Sequence, residues 1–193
     1  DVATRIIIEG SEVKKLEKVQ AMPGTSLTIK NLFYNVPARR KFLKSDPVEL
    51  KHILDEFHRV VLANPDIFFS LHHNGNEIYH LPKANLRQRI TGVMGKQFSE
   101  KLIPVSEETE VATFSGFIGK PESAKKSQGE QFLFVNKRFI KSNYLNHSVR
   151  SAYEDLIPRD VFPPYFLFFD IDPANIDINV HPTKQEIKFE DEK

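Results

Sequence analysis

Tyr165–Ile171 (YFLFFDI) constrains the fold more than any other stretch of the chain. It is apolar at six of its seven positions, the pattern of a strand buried on both faces. A buried strand of this kind belongs to a chain that also carries helices in this reading, two α/β or α+β domains. One helix is marked clearly. Asp46 is a strong N-cap, Pro47 suits the first helical position and Glu49 completes a capping box; Leu50, Ile53, Leu54, Phe57 and Val61 then recur at helical spacing until Asn64-Pro65. Ile67–His72 and Glu77–Leu81 flank Asn74-Gly75, the signature of a hairpin.

Strands are also predicted at Arg5–Glu9, at Thr25–Lys30 with Leu27 and Ile29 on one face, at Val111–Ile118 and over Gln131–Ile140. Ile176–Val180 and Gln185–Phe189 alternate in the same way. Leu86–Met94 reads as a short basic helix, and Ser142 can cap another that carries Leu145, Val149, Ala152 and Leu156. Gly119–Gly129 is a polar loop. The pattern is two α/β or α+β domains meeting near Pro82. Nothing ahead of Arg5 supplies a starting domain, so the chain reads as a piece of a longer protein.

The 193 residues, 40 % hydrophobic and 27 % charged, suit one large or two small globular domains, and 16 Phe can furnish a core without any Trp. No apolar run approaches the roughly 20 residues of a membrane span, and the first ten residues lack a signal peptide's pattern. The absence of cysteine excludes disulfides and thiolate metal sites and fits a cytosolic protein. Net charge is only +1, yet Tyr34–Lys44, Lys83–Ser99 and Gln131–Arg150 each carry four basic residues and no acid. One such run is as readily a solvated face; three in a near-neutral chain suggest a binding surface.

Three motifs carry chemistry. Gly24-Thr25 leads into Asn31-Leu32-Phe33-Tyr34-Asn35-Val36-Pro37-Ala38-Arg39-Arg40-Lys41-Phe42-Leu43. Phe134-Val135-Asn136-Lys137-Arg138 is the second, and Asn179-Val180-His181-Pro182-Thr183-Lys184-Gln185-Glu186-Ile187-Lys188-Phe189 the third. Glycine permits close approach to a ligand and a threonine hydroxyl can bond an adenine edge, although these two residues alone read more simply as a turn before a core strand. On a helix, Lys41 and Lys44 would share a face suited to phosphates; a solvated helix with Phe42 and Leu43 packing inward is the plainer alternative. Arg138 and Lys141, on or just after a strand, are a second candidate pair for DNA. Lys184 follows a proline-stiffened turn and offers a compact charge suited to a terminal phosphate, or simply a surface lysine.

Together, in this order, the motifs closely resemble the MutL family of GHKL ATPases over about Pro23 to Phe189. The resemblance implies an α+β chain. Residues 1–82 would be the C-terminal part of a GHKL ATPase α/β sandwich, and residues 83–193 a transducer domain resembling the ribosomal-protein domain-2-like βαβ fold. It implies that Gly24 and Thr25 lie by the adenine pocket, that Lys184 senses the γ-phosphate of ATP bound with Mg, and that Lys41, Lys44, Arg138 and Lys141 line a DNA groove. Arg39 and Arg40 are left open between DNA contact and structure, and His181 is expected to brace its loop.

Two departures stand out: Lys137 replaces the glycine usual in the family's Asn-Gly-Arg turn, and Asn143 stands where a further basic residue is common. Implied partners of the parent are DNA, a MutS-type mismatch-recognition protein, a downstream nicking endonuclease or helicase, and a second copy in an ATP-dependent homodimer. Its implied place is the cytoplasm, with chromosomal DNA. The family's catalytic carboxylate, Mg-binding residue and glycine-rich lid have no counterpart in these residues, so the 193 residues alone are expected not to hydrolyse ATP.

Three rival readings remain. A type II topoisomerase transducer would carry its lysine in a Gln-Thr-Lys turn, against His181-Pro182-Thr183-Lys184 here. A plain nucleic-acid-binding module would leave the first and third motifs unexplained. A structural interaction domain would make the basic windows solvated surface. The acids Asp170, Asp172 and Asp177 do not form a calcium loop, since the sixth and twelfth positions are Asn175 and His181.

Overall fold

The computed structural model describes residues 1–110, 112–177 and 188–189. The chain divides into two compact units, Asp1–His52 and Ile53–Lys193.

The first unit is built on an antiparallel hairpin of β1 (Val2–Glu9) and β2 (Glu12–Gln20), turning through Gly10 and Ser11 at φ 58° and 70°. The lysine-rich second strand escapes sequence reading because its charges interrupt the apolar alternation. In the folded hairpin those charges pair: Glu17 takes Lys15 at 2.8 Å and Arg5 at 3.5 Å, and Lys18 donates to the Thr4 hydroxyl at 3.0 Å. The expected strand over Thr25–Lys30 does not form. No partner strand pairs with it among the described residues, and Leu27 and Ile29 are 84 % and 72 % exposed. Alternation without a partner leaves the backbone hydrogen bonds of a strand unmade. A five-residue helix, α1 (Pro37–Lys41), follows with proline at its start.

α2 (Asp46–Ala63) spans the division between the units. Asp46 is its first helical residue rather than its cap, and the Glu49 carboxylate instead accepts the Lys44 N–H at 2.7 Å.

In the second unit, β3 (Phe69–His73) and β4 (Asn76–Leu81) turn through Asn74-Gly75 at φ 51° and 80°, as expected of that dipeptide. α3 (Leu86–Met94) opens with a capping box in which Asn85 and Gln88 each bond the other's backbone. A single turn, α4 (Phe98–Lys101), leads into the main sheet.

That sheet has five strands: β5 (Leu102–Glu108), β6 (Ala112–Gly119), β7 (Gln131–Val135), β8 (Arg138–Ile140) and β9 (Tyr165–Ile171), in the order β5-β6-β9-β7-β8. The expected single strand over Gln131–Ile140 is thus a hairpin, broken at Asn136-Lys137. β9 lies antiparallel to β6 and parallel to β7. The parallel pair needs a crossover, which α5 (Asn143–Ser151) provides, with the Ser142 hydroxyl accepting from the Leu145 N–H. β10 (Ile176–Asp177) pairs separately with β11 (Lys188–Phe189).

Each face of the sheet is covered, as the YFLFFDI run requires. On one face Phe132, Phe134 and Phe166 are buried against Val61 and Leu62 of α2, Ile90 and Val93 of α3, and Phe98. The rings of Phe132 and Phe166 stack at 5.4 Å, those of Phe134 and Phe168 at 4.5 Å. On the other, Leu133, Val135, Ile140, Tyr165 and Leu167 meet Leu145 and Val149 of α5. β6 and β9 approach so closely at Gly116 that a Cβ there would lie 2.0 Å from the Phe166 carbonyl oxygen, which only glycine avoids.

Two of the four cations in the Lys83–Ser99 window serve this architecture instead of a ligand. Arg89 is 1 % exposed; one guanidinium nitrogen donates to the carbonyls of Ile67 at 2.6 Å, Pro65 at 2.9 Å and Pro82 at 3.0 Å, while burial lowers its pKa. Arg87 donates to the Ser99 carbonyl at 2.7 Å and lies over Phe117.

Phe134→Ala should lower stability by about 3–5 kcal/mol in urea unfolding, whereas Phe42→Ala, at a position 77 % exposed, should change it by less than about 0.5 kcal/mol. His58, bonded through Nε2 to the Tyr79 hydroxyl at 2.8 Å, has a pKa lowered by burial, a shift that Asp55 partly opposes. Its contribution to stability is therefore complete above the unfolded value of 6.5 and is lost as pH falls below it. The melting temperature should drop between about pH 7.5 and 5, and drop less in His58→Gln.

Candidate nucleotide and nucleic-acid contacts

Two groups of sequence-predicted residues lie in different units. In the first unit, Gly24 has a φ of 143° and, among the described residues, no atom within 4 Å of where a Cβ would stand, and Thr25 beside it is exposed. Open space beside a bare backbone and a free hydroxyl together suit the edge of a flat heterocycle. The segment that follows stores strain: Asn31 and Phe33 hold φ 51° and 64°, closing turns in which Tyr34 N–H donates to Asn31 O at 2.9 Å and Val36 N–H to Phe33 O at 3.1 Å.

Those turns deliver the chain to α1, whose last turn carries Arg39, Arg40 and Lys41, all exposed. Arg39 lies 6.0 Å from the Phe33 ring centroid. The expectation that Lys41 and Lys44 share a helical face fails, because α1 ends at Lys41 and Phe42 caps it. Lys44 sits beyond the helix with its backbone tied to Glu49 and its side chain exposed. Nor do Phe42 and Leu43 pack inward; they are 77 % and 43 % exposed.

In the second unit the β7–β8 turn and the short strand after it carry three basic residues. Lys137 occupies the turn at φ 63°, Arg138 opens β8 and Lys141 directly follows it, and all three are exposed. From within, β8 is braced by Arg59 of α2, whose guanidinium lies 4.3 Å from the Phe139 ring centroid. The fourth cation of this window, Arg150, is occupied elsewhere: it donates to the Arg159 carbonyl at 2.9 Å and lies over Phe162. Sequence reading missed Asn136 here. Its side chain bonds Ile171 across a separation along the chain that no local pattern announces.

His181 and Lys184 lie outside the described residues. Among the described residues no three His, Asp or Glu side chains gather into a metal site, and no helix is long and apolar enough to cross a membrane.

Residues 90–193 match the family model described as DNA mismatch repair protein, C-terminal domain. The whole chain is 59 % identical to part of the DNA mismatch repair protein MutL of Christiangramia forsetii and covers 31 % of that protein's length. Its fold matches the ADP-complexed MutL ATPase domain of Aquifex aeolicus at a TM-score of 0.65 and 26 % identity, over 87 % of this chain and 61 % of that one. A crystal structure of the N-terminal domain of a DNA repair protein shares the fold over 98 % of this chain and 63 % of that one, at a TM-score of 0.83 and 22 % identity. The chain thus spans about a third of the length of the curated relatives it matches.

Lys137 in a left-handed turn position costs about 1–2 kcal/mol, part of which glycine would give back through its freer unfolded chain. Lys137→Gly should therefore stabilise the second unit by about 0.5–1 kcal/mol, read as a higher urea midpoint at unchanged slope.

Proposed function

The chain belongs to the MutL family of DNA mismatch repair proteins, and on that premise we propose that it is the part of such a protein where ATP binding and hydrolysis are coupled to dimerisation, DNA binding and recruitment of repair partners. The observation that carries the reading is the likeness to an ADP-complexed MutL ATPase domain over 87 % of the chain. By role, residues 1–82 complete the ATP-binding domain and residues 83–193 form the transducer. This is a division of labour, and it falls inside the second compact unit.

The residues present suit a nucleotide's base. Gly24 and Thr25 offer open backbone and a hydroxyl to an adenine edge, and a bound ATP would supply the phosphate whose presence is sensed. Its Mg is assigned no ligand among the described residues. Lys184 is the γ-phosphate sensor in this reading. An ammonium attracted only when the third phosphate is present favours the ATP-bound arrangement by the difference in affinity between the two states. Lys41, Lys44, Arg138 and Lys141 contact the DNA backbone, with Arg138 opening β8 and Lys141 directly following it. Phosphate contacts of this kind bind without reading sequence. The partners of the parent would be a MutS-type protein and a downstream nicking endonuclease or helicase.

In the protein extended to the length of its relatives, Lys184→Ala should reduce ATP turnover and ATP-dependent dimerisation by on the order of tenfold or more while the melting curve stays in place. A variant indistinguishable from wild type in both would defeat the assignment. The 193 residues by themselves should show no turnover.

A further inference from the structure

The β7–β8 turn is tied to β9 beyond the point where the pairing of β7 with that strand ends. Asn136 takes the first left-handed position of the turn, at φ 49°. Its backbone N–H donates to the Phe169 carbonyl at 2.9 Å. Its side-chain amide then acts as a further peptide unit: Nδ2 donates to the Ile171 carbonyl at 2.9 Å, and Oδ1 accepts from the Ile171 N–H at 3.0 Å. The pairing of β7 with β9 formally ends at Val135 and Phe169, and the side chain carries it two residues further along β9.

The strand that benefits is short. β8 has three residues and, among the described residues, lies at the edge of the sheet and pairs with β7 alone. The interior of β8 is held by buried Ile140 and by Phe139 against Arg59, so the Asn136 bonds add their hold at the turn, where Lys137 sits and Arg138 begins the strand. The nearby carboxylate of Asp172 is engaged with the Ala174 N–H at 2.9 Å.

We propose that Asn136 is the positioning residue of the DNA-contacting edge: by locking the turn onto β9 it holds Lys137 and Arg138 ready for the phosphates of duplex DNA. The inference rests on the reading of Arg138 and Lys141 as DNA contacts. Groups ordered before binding lose less freedom on binding, so the lock raises affinity without touching the ligand.

Asn136→Gly tests it, since glycine tolerates the left-handed backbone, keeps the net charge and removes the side-chain bonds, at the cost of a freer backbone. Asn74→Gly makes the same change in the β3–β4 turn, away from the basic edge, and controls for general loosening. Binding of a labelled duplex to the chain, by fluorescence anisotropy across a salt series, should be weakened roughly fivefold by Asn136→Gly. The slope of log K against log salt should become shallower by about 0.9, one phosphate contact. Asn74→Gly should leave both unchanged. Wild-type affinity and slope in Asn136→Gly, or an equal loss in Asn74→Gly, overturns the proposal. If Arg138→Ala/Lys141→Ala binds like wild type, the DNA reading itself falls and the lock with it. If that double variant loses affinity while Asn136→Gly does not, the lock alone is wrong.

Discussion

The parallel contact between β7 and β9 is the interaction on which the second unit depends. Its aromatic face, with Phe132 over Phe166 and Phe134 over Phe168, is the floor onto which α2, α3 and Phe98 pack. Its other face receives α5. Stacked rings in register are worth more than their buried area alone, and here they also fix the strand alignment, since a slip of one residue would turn every ring to the opposite side. The basic edge at β8 stands on the same pair, one strand further out.

Much of this was legible before any coordinates. The unbroken apolar run at Tyr165–Ile171 demanded a doubly covered strand, and Asn74-Gly75 demanded a hairpin; both follow from backbone chemistry that acts locally. The features that were not legible depend on partners distant in sequence. Leu27 and Ile29 alternate as a strand does, but among the described residues nothing pairs with them. The β2 strand hides its pattern among lysines that the hairpin neutralises. Arg89 looks like any other cation of a basic window, and only the convergence of three carbonyls shows why it is buried. For the candidate site, motif resemblance located the residues, while the side-chain bonds of Asn136 emerged only from the fold.

Arginine has two separable duties in this chain. Arg87, Arg89 and Arg150 each donate to backbone carbonyls and lie against aromatic rings. The Arg89 fork meets part-buried loop carbonyls that would otherwise lose a partner. Arg138, at the solvent-facing edge, is exposed. Counting basic residues in a window therefore overstates a binding surface, and the windows that read alike in sequence differ once burial is known.

The strand order carries a consequence for how the protein comes to be folded. β5 and β6 can pair with each other as soon as both exist, and so can β7 and β8. The two hairpins have no contact to make in the sheet until β9, the last of the five to leave the ribosome, slides between them. Until then Phe132 and Phe134 lack their stacking partners, and each hairpin offers an open edge to any passing strand. The keystone of the sheet is thus its latest arrival, which makes assembly slow by topology and makes the nascent chain most vulnerable to aggregation just before the segment that protects it appears.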